Sequence, residues 1–275
     1  MIDVQLVVTG KMELALGNAL QAFCERSAWP VLFRPSMEVT SITSARLPAT
    51  PTPLVRGLAG RPMKSQARKL AADVTATILE RNHPDFVFVL DDVELDNDNQ
   101  IPVVLDHVRA AFDSALATAT VAEIRKVRDR VSFHLARPMI EAWLFPDPAA
   151  LATAQASGKN LWDSTSDAER FAVTDSAYME WFEANQPRSP LNPQQHPKWY
   201  LKFLSDQRYS EARDGALALA GLDWTLVPQT PPHMGYLHAL LDDLGRACGQ
   251  TYLPQVPAWV ETRADRHAKL SLRNV

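Results

Sequence analysis

Phe86-Val-Phe-Val-Leu-Asp-Asp-Val-Glu-Leu-Asp-Asn-Asp98 sets an apolar, β-branched run directly against five acids within eight positions. A run of this kind reads as a strand buried on both faces, as parallel sheets require. In open α/β sheets ligands bind in the crevice beyond the carboxyl ends of the strands, and these acids fall at such an end. Crowded carboxylates repel one another unless a proton or a cation stands between them. Hard divalent cations such as Mg²⁺ take oxygen ligands of this type. The stretch therefore points to a metal site at a strand end. The competing reading is a solvated acidic turn in which Asp91 or Asp92 caps the next helix.

Outward from this strand, Val4-Gln-Leu-Val-Val8 reads as a second buried strand. Thr9-Gly10 and an amphipathic helix over 11–25 follow, with Gly10 suited to a tight turn where the backbone comes close to something. Residues 31–34 read as a third strand. Residues 35–62 are rich in Pro, Ser and Thr and read as a long loop. The spacing of Leu70, Val74, Ile78 and Leu79 predicts a helix over 64–81. Pro102 suits a helix start, with the helix running over 103–116. A basic helix over 123–130 precedes a strand over 131–136, and Pro138 opens a helix over 139–145. Strands alternating with helices in this way indicate βαβ units and a mostly parallel sheet. Residues 157–195 are polar and aromatic with weak periodicity, helices are expected at 199–204, 209–220 and 236–247, and the tail after Gly249 is irregular. The expected organisation is an α/β domain over 1–150, with a mainly helical region over 151–275 packed on it.

Composition narrows the function classes. The 275 residues are 46% hydrophobic and 22% charged, ordinary for a globular protein. The net charge of −4 gives no global attraction to nucleic acid but leaves room for a local basic groove. Cys24 and Cys248 form no CxxC pair, which argues against a disulfide framework or a thiolate zinc site. No apolar run reaches membrane-spanning length and no signal-peptide pattern opens the chain, so the expectation is a cytoplasmic protein. There is no Walker-type loop, no Gly-x-Gly-x-x-Gly, no Gly-x-Ser-x-Gly and no His-Glu-x-x-His.

Three acidic features occupy equivalent places. Glu13 lies in the first helical turn after the first strand, the 91–98 cluster follows the central strand, and Glu141 lies in the first turn after the 131–136 strand. Neighbouring parallel strands would bring all three to one sheet edge. Taken singly, Glu13 and Glu141 are also what a helix dipole favours in a first turn.

The frame Val8-Thr-Gly-Lys-Met-Glu13 resembles the Glu-Gly-x-x-Glu opening of toprim domains, and Leu90-Asp-Asp-Val-Glu94 resembles their Asp-x-Asp strand end. Arg137-Pro-Met-Ile-Glu-Ala-Trp-Leu-Phe145 is similar to the Glu-x-Trp segment of toprim-like proteins of the RloB and OLD kind, including a bacterial family encoded beside ATPases in phage-defence loci. His196-Pro-Lys-Trp-Tyr-Leu-Lys202, Asp214-Gly215 and Leu240-Leu-Asp-Asp243 resemble the C-terminal half of that family. The resemblance implies a toprim-like parallel sheet flanked by helices, with acids gathered around Mg²⁺ or Mn²⁺. It further implies a metal-dependent nuclease or nuclease-derived effector acting on DNA or RNA, with a separate ATPase subunit; apart from the resemblance, the 35–62 loop and the helical C-terminal half offer surfaces for homo-oligomer assembly. By position, Glu13, Asp91, Asp92 and Glu141 would be the catalytic acids, and Glu13, Asp91, Asp92 and Glu94 the metal ligands. Val93 stands where the family spacing from Asp91 needs its second acid, whereas Asp92 and Glu94 preserve the one-residue gap. Thr9 replaces the family's first Glu and cannot be an anionic ligand. The site is then either served by Glu13 or catalytically degenerate, leaving a docking or sensor subunit. A small-molecule phosphohydrolase is a third reading.

Basic partners for a phosphate are Lys11 beside the Gly10 turn, Arg137 before the Glu141 turn, and Lys198 and Lys202 beside Trp199 and Tyr200, a mix that suits single-stranded nucleic acid. Lys198 and Lys202 also fit an ordinary surface helix. His196 reads as a cap or packed side chain, His134 as a packed strand histidine, and the arginines of 125–130 as a solvated helix face.

Overall fold

The apolar run folds as the central strand of a parallel sheet. The structure is a computed structural model, described here for residues 1–49, 65–186, 191–224 and 235–250. Its strands are β1 (Ile2–Val8), β2 (Val31–Phe33), β3 (Met37–Glu38), β4 (Phe86–Asp92) and β5 (Val131–Ala136). They lie in the order β2-β1-β4-β5, with β3 also beside β1 and every pairing parallel. The helices are α1 (Leu16–Arg26), α2 (Ser65–Leu79), α3 (Ile101–Ala115), α4 (Val121–Arg130), α5 (Pro148–Thr153), α6 (Ser176–Asn185), α7 (Pro197–Leu204), α8 (Ala216–Ala220) and α9 (Gly235–Ala247). The expected mostly parallel α/β sheet with a helical C-terminal part is what forms. Among the described residues no helix is long and apolar enough to cross a membrane.

Alternation along the strands divides the core into two layers. Val7, Val87, Val89, Phe133 and Leu135 face α2, α3 and α4. Val4, Leu6, Val8, Phe88 and Leu90 face the opposite layer, which holds α1 together with apolar residues of α6 to α9. That second layer is continuous from residue 4 to residue 248, so both parts of the chain share one core. The predicted face of α2 behaves as expected: Leu70, Val74 and Ile78 are buried, with Leu79 packed at the margin.

Several elements differ from expectation. The helix expected from residue 11 begins with a 3₁₀ turn, Glu13–Ala15, and becomes α-helical only at Leu16. Residues 139–145 form a buried 3₁₀ helix, Ile140–Leu144, rather than an α-helix, because Met139 is still extended and the segment wedges Trp143 fully into the core. The helix expected over 209–220 is a π-helix, Glu211–Gly215, followed by α8. α5 and α6 went unforeseen for want of periodicity, although Asp147 and Asp175 cap them through side-chain oxygens, a sequence-visible start signal. The loop expected from residue 35 contains the two-residue β3, and its middle is pinned to the end of β4. Thr43 Oγ1 donates to the Asp92 carbonyl at 2.5 Å, and buried Asn97 donates to the Thr43 carbonyl at 2.8 Å while accepting from Leu47 N at 2.9 Å. Residues 50–62 of that loop, and the tail beyond 250, lie outside the described residues.

The shared core carries a consequence for the expected boundary near residue 150. A fragment 1–150 would leave much of one sheet face without its apolar cover, and burial of that face supplies most of the driving force for folding. We expect the fragment to lack a cooperative urea transition and near-ultraviolet circular dichroism, both of which the whole chain should show.

Candidate functional site

Parallel neighbours β1, β4 and β5 bring the turns that follow them to one edge of the sheet. β4 ends in two consecutive acids, which must point to opposite faces. Asp91 turns toward the α2 and α3 layer, where Thr9 Oγ1 donates to it at 2.6 Å and Ile42 N at 3.0 Å. Burial raises its pKa against the pull of these hydrogen bonds. Asp92 turns to the other layer, where it accepts from Ile140 N at 2.9 Å. There it faces Glu13, Glu141 and Glu94: burial and then repulsion from these three hold its pKa well above the ordinary range. Neither aspartate caps the next helix. Thr9 spends its hydroxyl on positioning Asp91, and Asp91 fixes the 39–47 loop through Ile42.

Glu13 and Glu141 are almost fully buried, at 3% and 2% exposure. Glu13 is pushed up to about 8 by burial and by Glu141, and Glu94 to about 7 by the same two causes. Burial also raises Glu141, although Lys198 opposes the shift. Glu13 Oε2 is buried without a hydrogen-bond partner, and its carboxyl lies so close to Gly10 that an added methyl group would overlap it. Gly10 is thus required for proximity and not for an unusual backbone angle. Glu94 does carry such an angle, with φ 58° and ψ 149°, a region that strains a residue bearing a side chain.

The C-terminal part supplies Lys198, expected as a phosphate partner, together with Glu211 and Tyr209, which the sequence did not assign. Lys198, in the first turn of α7, lies 3.7 Å from Glu141 and forms an ion pair with Glu211 at the start of the π-helix. Burial lowers the pKa of its ammonium, but Glu141 and Glu211 outweigh that and hold it above the usual value. Tyr209 lies beneath, its hydroxyl 3.6 Å from Met12 Sδ, and burial with Glu141 and Glu211 nearby keeps it protonated. Gly215 allows this approach: a methyl group there would stand 2.5 Å from the Tyr209 hydroxyl and 2.9 Å from Met12 Sδ. The π-helix was the available signal for Glu211, since such turns gather at functional sites, but it is not visible as sequence periodicity.

Five carboxylates, Glu13, Asp92, Glu94, Glu141 and Glu211, therefore meet one ammonium. Among the described residues no group of three or more His, Cys, Asp or Glu side chains is placed to hold a metal ion. The other basic residues expected at a phosphate make no ion pair with these acids. Arg137 makes a two-pronged pair with Asp98 at 2.5 and 2.9 Å, Lys202 lies 4.3 Å above the Trp199 ring, and Lys11 is exposed. His196 caps α7 by accepting from Trp199 N, and burial lowers its pKa to about 3, which keeps the ring a neutral acceptor. His134 packs in β5 with Ser132 and Asp243, and Arg125 is solvated on α4. A cavity of about 410 Å³ lies between α3, β5 and α9. None of the five acids lines it, and its two arginines, Arg109 and Arg137, already hold Asp106 and Asp98. Convergence of perturbed acids is the stronger mark of chemistry, so the acidic site is the candidate.

No family model matches the chain, and no curated protein or solved structure matches it.

The raised acids set the sign of the pH dependence of stability. A carboxyl raised from 4.5 to about 8, as Glu13 is, keeps its proton in the folded chain where the unfolded chain has lost it. Its contribution is complete below about 4.5 and is lost as the pH rises through about 8. With chelator present, Glu13→Gln should match the wild-type Tm at pH 5 and exceed it by roughly 4 °C or more at pH 9. Equal melting temperatures at both pH values would contradict the burial of an ionisable Glu13.

Proposed function

We propose that the acids at the carboxyl edge of the sheet hold Mg²⁺ or Mn²⁺, and that the protein is a toprim-like nuclease or nuclease-derived effector. The observation that carries this reading is Glu13 Oε2, a carboxyl oxygen buried with no hydrogen-bond partner amid carboxyls raised by burial and then by mutual repulsion. A divalent cation meets both needs, since it takes oxygen ligands and relieves the repulsion between them. Glu13, Asp92, Glu94 and Glu141 would hold it, with Asp91 positioning the strand end from the opposite face. When bound, the metal supplies charge neutralisation at a phosphoryl oxygen and acidifies water.

The protein's own groups do the remaining work. The Gly10 turn seats Glu13, and Ile140 N orients Asp92. Lys198 offers the nearest ammonium for an anionic oxygen of a phosphodiester. Tyr209, buried beside Met12, lies near Glu141 and Glu211. Defence against phage together with a separate ATPase fits the resemblance described above and the lack of a nucleotide loop in this sequence. One observation favours the second reading, a docking or sensor subunit without nuclease activity: Thr9 stands in place of an acid and is tied to Asp91.

Two experiments test the proposal. Plasmid DNA, single-stranded DNA and tRNA are incubated with the protein and Mn²⁺, beside the Asp92→Ala/Glu141→Ala variant and a chelator control. Cleavage should fall by about a hundredfold or more in the variant and vanish with chelator. Mn²⁺ binding without cleavage of any substrate would favour the docking subunit. Gly10→Ala tests the seat of Glu13 separately, because the added methyl displaces only the end of a flexible side chain. Its Tm should stay within about 3 °C of wild type while Mn²⁺ binding, measured by calorimetry, weakens about tenfold or more.

A further inference from the structure

We infer that Lys198 is the resident counter-ion and gate of the acidic site: a divalent cation gains the carboxylates by displacing the Lys198 ammonium outward, and the released ammonium becomes the contact for the substrate's anionic oxygen. The inference rests on the metal reading above and adds to it how the site is closed and opened.

Four observations support it. Among the described residues Lys198 is the one cation in contact with these acids, through Glu141 and Glu211. It sits in the first turn of α7, where the helix dipole disfavours a positive charge; the facing carboxylates account for its presence. Lys198 and Glu211 are each about one third exposed, at 33% and 31%, whereas Glu141 is 2% exposed. The pair can swing toward solvent and the buried acid cannot. Finally, the ammonium reaches Glu141 and Glu211 but not Glu13, whose Oε2 stays unpartnered.

The first test uses wild-type protein. Lysine acylation is followed by mass spectrometry with and without Mn²⁺. Lys198 should react several-fold faster when Mn²⁺ is present, while Lys202 and Lys69 are unchanged. Unchanged or slower labelling of Lys198 overturns the gate.

The second test measures Mn²⁺ affinity in Lys198→Met, Lys198→Arg and Glu211→Gln. Lys198→Met should bind about tenfold tighter than wild type, with Lys198→Arg close to wild type. Glu211→Gln loosens the outer tether and leaves the buried acids intact, so it should bind about threefold tighter and serves if Lys198→Met fails to fold. Wild-type affinity in a folded Lys198→Met, or weaker binding in Glu211→Gln, overturns the gate while leaving the metal reading in place. No Mn²⁺ binding by wild type or variants overturns both.

Discussion

Burying several carboxylates around a single ammonium is the constraint from which the rest of this structure follows. Water would neutralise such a group of acids cheaply, but Glu13 and Glu141 are shut away from it. Protons, Lys198 and hydrogen bonds must share the task instead. Each neighbouring irregularity answers to that requirement. Gly10 lacks a side chain so that Glu13 can fold back over it, and Gly215 lacks one so that Tyr209 can lie against Met12. Glu94 accepts an unfavourable backbone angle at the strand end. Local rules are broken together in one place, as is expected where function and stability compete.

The two halves of the chain divide this work. The sheet supplies Glu13, Asp92, Glu94 and Glu141, and the C-terminal helices supply Lys198, Glu211 and Tyr209. The same division holds for the apolar layer on that side, which runs from β1 to α9. Electrostatic balance and hydrophobic cover therefore arrive through the same contacts, and the residues that seal the sheet also set the charge of its edge.

Much of the scaffold was legible in the sequence because its signals are local. The 86–90 run, the alternation of strands with amphipathic helices, and the helix spacing of Leu70, Val74 and Ile78 each reflect burial on a fixed period. Placement of Glu13 and Glu141 at the same edge as the β4 acids followed from strand order alone. What was not legible depends on direction or on distant partners. Which of Asp91 and Asp92 faces the other acids is a matter of strand parity, settled by the register of β4 in the sheet; the sequence left both open, and Asp92 with Glu94, the pair that keeps the one-residue gap, face the cluster while Asp91 faces away. Glu211 is brought in by a π turn with no periodic trace. Arg137 looked available for a phosphate, but Asp98, thirty-nine positions away in the chain, holds it. Within 157–186, Phe171 and Tyr178 pack in one aromatic group with Phe145 and Tyr200, and such packing leaves no regular pattern.

The outer partner of β1 is broken in two. β2 pairs with Ile2 to Val4 and β3 with Val7 and Val8. Between them the Gln5 side chain donates to the Pro35 carbonyl at 2.8 Å. Pro35 has no amide hydrogen to offer, its carbonyl is already taken, and the flanking strands are three and two residues long. Such an edge gives an incoming strand no continuous ladder to extend. The interruption that sends the chain across toward Asp91 thus also protects the sheet from growing into its neighbours, so that the same proline-marked break serves solubility as well as the architecture of the site.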